Sequence, residues 1–243
     1  MGEAGRQVAR LARVVDSLCP NDTENDRRMK CCLFLFLLVS LTVTPSFAQT
    51  SPGSGTLNKD LQAELIKMGR EDQKYRIKWQ AEMDKMPAAE RINPHNKAAA
   101  LMEKQGQIDR KNLARLIEIV QRYGWPGRSL VGEKASSAAF LIIQHAELAQ
   151  QEKFLPLLKA SVAAGDANAI EAATLEDRVL VGQGKKQRYG TQVHFGPETG
   201  GKWVLQPIED EEGVDQRRAA IGMEPLATYL KMFGIEYKPI KKP

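Results

Sequence analysis

Two residues carry chemistry where a hydrophobic core is expected. His145 closes the most apolar stretch of the chain, which runs through Ala135, Phe140, Leu141, Ile142 and Ile143 to Gln144, and Asp177 interrupts the stripe Ile170, Ala173, Val181. An imidazole oriented by a carboxylate is the working part of a general base. The spacing permits a His145–Asp177 pair on neighbouring helices without requiring one, and Arg178 beside it would anchor an anionic group. The alternative is that Asp177 pairs with Arg178 or another arginine and ties two helices together. Asp72 is a third such residue, on the apolar stripe Leu61, Leu65, Met68, Tyr75, Trp79, Met83, Met86. A carboxylate on a buried face has to be paired, and Arg76, four residues on, is in helical reach.

The densest polar segment follows Asp177. Gly182 and Gly184 release the chain from a helix, and Gln187, Tyr189, Thr191 and Gln192 then present amide, phenol and hydroxyl groups, with Tyr189 and Thr191 on one face of an extended strand. With Asp72 and Gln144, these side chains would hydrogen-bond a ligand or a developing oxyanion. The same segment also reads as a tight connection whose side chains satisfy its own backbone. It is no phosphate loop, since it follows a helix and lacks the lysine–serine/threonine pair. His95, His145 and His194 form no i, i+4 metal pair, no serine stands in a glycine-flanked elbow, and no cofactor fingerprint occurs. Asp72, Asp109 and Asp177 could furnish two glycosidase-like carboxylates, but nothing in their spacing selects them.

Helices must position these groups. Periodicity predicts a long first helix from about Leu61, a break between Pro87 and Pro94, and a stretch from about Asn96 that resets near Gly106. Asp109 then suits the N-cap of a helix through Leu113, Leu116, Ile117 and Val120, closed by Gly124 and Pro126. Arg128–Gly132 reads as a loop into a buried helix over Glu133–Gln150. Helices over Gln151–Ala164 and Asn168–Val181 come next. Tyr189–Phe195 and Lys202–Ile208, flanking Gly196-Pro197-Glu198-Thr199-Gly200-Gly201, read as a β-hairpin. Asp215 and Glu224-Pro225 open two short final helices. The expected fold class is mainly α: a single-domain helical bundle, residues 57–243, with a small C-terminal β-hairpin.

Ahead of it, Arg27-Arg28-Met29-Lys30, the apolar run Cys31–Val43 and Ser46-Phe47-Ala48 have the order of a secretory signal peptide. The run is broken by Ser40, Thr42, Thr44 and Pro45, short of the about 20 apolar residues that a spanning helix needs. Residues 1–28 mix acids among the arginines, so translation is expected to start at Met29, with 29–48 the signal and 49–56 a flexible linker. The mature protein is thus expected outside the cytoplasm, periplasmic or extracellular, with no membrane span. All three cysteines, Cys19, Cys31 and Cys32, precede residue 49, so the mature protein is expected to have no disulfide framework. Of 35 basic and 30 acidic residues, the first 48 take six and five, leaving 29 and 25, a net +4. So mild a bias, with scattered aromatics, is a poor basis for nucleic-acid binding.

Gly124-Trp125-Pro126, Val131-Gly132, Gln144-His145-Ala146, Asp177-Arg178-Val179, Gly184, Gln187 and Tyr189-Gly190-Thr191-Gln192 together resemble the domain-of-unknown-function family six-six-two-four. The resemblance covers about residues 60–235. It includes Asp72, Asp109 with Asn112, and Val214-Asp215 with Arg217-Arg218. It implies a helical, often exported domain and no activity. The expected function is binding of a small molecule or peptide through a buried polar site, without a cofactor. The alternatives are hydrolysis by a His145–Asp177 base, or a structural or interaction domain whose polar network fixes the fold.

Overall fold

Asn58 starts the first helix by accepting the Leu61 N–H on Oδ1 at 3.1 Å. Helix α1 (Lys59–Met83) then buries Leu61, Leu65, Met68, Asp72, Arg76 and Met83 along one face. A computed structural model describes residues 56–91, 93 and 98–238. The proposed signal peptide and residues near Asn96 lie outside the described residues. After the short turn α2 (Ala88–Arg91), helix α3 (Ala99–Tyr123) runs without interruption and ends at Gly124, whose φ of 72° suits glycine. The expected reset at Gly106 and the N-cap at Asp109 are therefore corrected. Glycine costs a helix interior about 1 kcal/mol, which burial of Leu116, Ile119 and Val120 on the same helix outweighs.

Arg128–Val131, expected as loop, forms the single turn α4, with Asp166 accepting the Ser129 N–H at 2.6 Å and hydroxyl at 2.9 Å. Helix α5 (Glu133–Gln144) stops earlier than its composition suggested, and α6 (Leu148–Ala163) starts before Gln151. The break has an identifiable holder. Gln151 Nε2 donates to the carbonyls of Gln144 at 3.0 Å and Ala146 at 2.7 Å, satisfying groups that a helix end otherwise leaves bare. His145 sits at this corner. Helix α7 (Ala169–Gly182) is capped by Asn168, whose Oδ1 accepts from Ile170 N at 2.9 Å.

Helix α1 packs against α5 and α3, and α7 against α6. Their shared core holds Leu65, Leu116, Ile143, Phe154, Leu158 and Leu175. At Gly69 the α1 and α5 backbones come close: a Cβ there would fall 2.7 Å from that of Ala138. One turn of α1 further on is Asp72.

The chain end forms a second layer. Strand β1 (Val193–His194) pairs antiparallel with β2 (Val204–Leu205), Val193 opposite Leu205. The hairpin exists but is shorter than expected, and Tyr189 and Thr191 lie outside it. Helices α8 (Val214–Ala220) and α9 (Leu226–Leu230) close a small core of Val193, Ile208, Val214, Leu226, Leu230 and Phe233. Phe233 takes Tyr229 and Trp203 edge-on, centroids 5.2 and 5.5 Å away. The chain is thus mainly α-helical with one small hairpin. No helix among the described residues is long and apolar enough to cross a membrane.

Candidate functional site

Two buried aspartates organise the polar interior. Asp72, on the buried face of α1, receives three side chains. Gln73 Nε2 donates to Oδ2 at 2.7 Å, Arg76 Nη1 lies 3.2 Å from Oδ1, and His145 Nδ1 lies 3.0 Å from the same oxygen. The expected Asp72–Arg76 pair is present. Arg76 also returns a hydrogen bond to the Asp72 carbonyl and reaches α3, where both its terminal nitrogens bond Asp109 at 2.9 and 2.6 Å. Such a two-point guanidinium–carboxylate contact fixes direction as well as distance. Asp109 is the outer end of the chain, 23% exposed against 1% for Asp72.

Helix α3 contributes two more residues. Gln105 accepts the Tyr75 N–H at 3.0 Å and donates to Asp109 at 2.8 Å, and Asn112 donates to the Met68 carbonyl at 3.1 Å. Both touch the α1 backbone within a turn of Asp72, so they set the height at which Asp109 meets Arg76.

The orienting partner of His145 is therefore Asp72, not Asp177. Burial pushes the imidazole below its usual 6.5, against the pull of Asp72 and with the help of the Arg76 and Arg178 charges. In the neutral ring, the carboxylate takes the Nδ1 proton and leaves the Nε2 lone pair as an acceptor. Nε2 is buried with no hydrogen-bond partner, and the same is true of Gln73 Oε1 and Arg76 Nε. All three side chains that touch Asp72 thus keep one unused polar atom. The assignment of Gln73 follows from Asp72, since a carboxylate demands the amide nitrogen and turns the oxygen away.

Asp177 does something else. Its Oδ1 accepts the N–H groups of Arg188 at 2.7 Å and Tyr189 at 3.1 Å. Its Oδ2 accepts Tyr189 N at 3.1 Å, Thr191 N at 3.0 Å and Thr191 Oγ1 at 2.9 Å. Burial raises the carboxyl, opposed by these donors. The neighbouring segment is as fully engaged. Gln187 Nε2 bonds the carbonyls of Gln192 and Gln206 at 2.9 and 2.8 Å, and its Oε1 takes the Gln192 N–H at 2.8 Å. Gln192 Nε2 donates to Thr191 Oγ1 at 3.0 Å. Tyr229 Oη donates to the Thr191 carbonyl at 2.8 Å, and buried Arg218 to those of Tyr189 and Glu224, both at 2.7 Å. Gly190, at φ 71°, has no room for a Cβ beside Leu226.

Of the residues expected at the site, His145 and Asp72 meet, and Arg178 is near enough to act on the imidazole electrostatically. Gln144 is buried next to the histidine and lends its carbonyl to Gln151. Gln187, Tyr189, Thr191 and Gln192 gather around Asp177 instead. Gln73, Gln105 and Gln151 were not anticipated as site residues, and Asp109 only as one of three carboxylates that nothing in the spacing selected. A signal existed for α3: Gln105, Asp109 and Asn112 continue the spacing of Leu116 and Val120 and so stand polar on an apolar stripe.

A cleft of about 120 Å³ follows the α1–α3 seam, with Met68, Glu71 and Asn112 among its lining residues. Compared with known proteins, residues 59–241 match the sequence model of DUF6624, a family of unknown function. No curated protein and no solved structure matches.

Proposed function

Since the chain belongs to the DUF6624 family, whose function is unknown, we propose its role from the site alone: it binds a small molecule or peptide through the polar centre around Asp72 and His145. The observation that carries this reading is the set of unused atoms, Gln73 Oε1, Arg76 Nε and His145 Nε2, on the three side chains that hold Asp72. Buried polar atoms are nearly always satisfied, and leaving one bare costs about 1–3 kcal/mol. Three around one carboxylate are polar groups that a ligand or water would satisfy. The signal-like sequence around Met29 and Ser46-Phe47-Ala48 supports action outside the cytoplasm, and N-terminal sequencing of exported protein should begin close to Gln49.

A thermal-shift screen of metabolites and peptides tests the binding role. A true ligand at about 100 times its Kd stabilises the protein by about 2.7 kcal/mol. That gain should vanish in His145→Gln while the variant stays folded. Ligands that stabilise both forms equally would place binding elsewhere.

A second reading, hydrolysis, is favoured by the 3.0 Å contact between Asp72 and the imidazole. It gives the orienter–base geometry in which Nε2 takes a proton from water or a hydroxyl. Turnover of an ester or amide panel, abolished by His145→Gln, is its expected result. Stabilisation without turnover leaves the binding role alone.

A further inference from the structure

Arg76 Nη1 has more acceptors around it than hydrogens to give. It carries two. One goes to the main-chain carbonyl of Asp72 and the other to Asp109 Oδ1 at 2.9 Å. Nη2 adds a second bond to Asp109, on Oδ2 at 2.6 Å. Nothing remains on Nη1 for Asp72 Oδ1, which stands 3.2 Å away as an ion-pair neighbour. That oxygen is met instead by His145 Nδ1, at 3.0 Å.

Asp109 is itself held in place on α3. Gln105 Nε2 donates to its Oδ1 at 2.8 Å, and Gln105 Oε1 is fixed in turn by the Tyr75 N–H at 3.0 Å. The two-point contact sets the plane of the guanidinium as well as its distance, and a carboxylate off that plane competes poorly for the same hydrogens. Charge divides the same way. Asp109 neutralises Arg76, and the negative charge of Asp72 is left facing the imidazole.

Resting on the site proposed above, we infer that Asp109 is a positioning residue for His145: by holding the Arg76 fork on α3 it reserves Asp72 Oδ1 for the imidazole, fixing the ring proton on Nδ1 and leaving Nε2 the acceptor. Asp109 does this through two intermediates, without bonding the ring. Without its charge, the fork loses its partner, and the other carboxylate beside Arg76 is Asp72. A guanidinium hydrogen on Oδ1 draws electron density from the oxygen that accepts Nδ1–H. The weaker acceptor then releases the ring toward the form with its proton on Nε2. A helix tie alone would lose stability on losing Asp109, with no such change at the ring.

The test reads the His145 ring nitrogens by NMR in the purified full chain at pH 8, where the ring is neutral, with no ligand added. The resonances are assigned by their loss in His145→Gln. The unaltered protein should carry the proton on Nδ1. Asp109→Asn keeps the shape and removes the charge. It should lower the ratio of the Nδ1–H to the Nε2–H form about tenfold, as expected when a charge-assisted hydrogen bond loses about half its strength. Asp109→Glu, which restores the carboxylate on a longer arm, should hold that ratio within about twofold. An unchanged ring in Asp109→Asn overturns the assignment, as does an equal loss in Asp109→Glu or a proton already on Nε2 in the unaltered protein. If Asp109→Asn does not fold, Asp109→Ser, which admits water to Arg76 at this partly exposed position, carries the same expectation. If neither neutral variant folds, Asp109 is a helix tie and the positioning role falls. Each of these outcomes leaves the binding role to the thermal-shift screen, which decides it separately.

Discussion

Asp72 and Asp177 are both buried carboxylates on helices, and the chain treats them in opposite ways. Asp177 is closed. Its oxygens accept three backbone N–H groups and a hydroxyl, all from residues 188–191, and so fasten the C-terminal layer to α7. Asp72 is open. It is held by side chains alone, through Gln73, Arg76 and His145, and each of those keeps an unused atom. A fully satisfied network specifies a structure, whereas each unsatisfied group in a partly satisfied one calls for a partner such as water or a ligand. The segment with the most polar residues is thus bonded within the protein, and the sparser one is the candidate site.

The sharpest way to break this contrast is Asp177→Ala. It strands three amide protons and the Thr191 hydroxyl, and we expect a loss of about 3–5 kcal/mol, read as a lower melting temperature. Hydrogen exchange should accelerate at Arg188, Tyr189 and Thr191 first. Unchanged protection there would mean that the clasp is not what holds the layer.

Next in size is Gly69→Ala, which forces α1 away from Ala138 at a contact with no slack. Overpacking of this kind costs about 1–3 kcal/mol. Because Asp72 and His145 ride on the two helices being separated, the His145 ring resonances should shift in the same variant. Stability lost with those resonances in place would uncouple the helix contact from the site.

His145→Gln should cost about 1 kcal/mol at neutral pH and chiefly change the pH dependence. A base lowered from 6.5 on folding refuses a proton that the unfolded chain accepts. Its contribution is therefore complete above about 6.5 and is lost as pH falls below that, down to the folded-state value. Glu171, pushed up to about 7 mainly by burial, tilts stability the other way, losing it as pH rises from about 4.5 through 7. The difference between the unaltered protein and His145→Gln cancels the glutamate and isolates the histidine. A flat difference profile would mean that the ring titrates alike folded and unfolded.

The smallest effect is expected at the surface counterpart of the Arg76–Asp109 link. Arg115 joins α3 to Glu64 of α1 at 2.7 Å but is about half exposed. Arg115→Ala should cost no more than about 1 kcal/mol and less in high salt. A larger loss would show that the outer seam, and not the buried pair, holds the two helices in register.

Local order was legible along the chain. The apolar stripes of α1, α5 and α7, the Asn168 start of α7, the hairpin around Gly196–Gly201 and the Asp72–Arg76 pair each depend on residues within a few positions of one another, where periodicity and turn chemistry act. What misled was local too. Gly106 and Asp109 look like punctuation, yet α3 passes through them because packing outweighs a propensity cost of about 1 kcal/mol. The alternating side chains of Tyr189–Gln192 look like a strand, yet Asp177 draws their amides inward.

The partner of His145 was beyond the sequence. Asp72 and Asp177 both lie polar on apolar faces, and nothing within either helix ranks one above the other. The choice was made when α1 settled on α5 through Gly69 and Ala138, bringing residue 72 against residue 145, while Gly184, at φ 71°, lets the following chain turn its N–H groups onto Asp177. Composition and spacing determine which residues must find partners, since a buried charge cannot stay bare. Which partner each one finds depends on how whole helices pack, a property of the assembled core that no short stretch of chain contains.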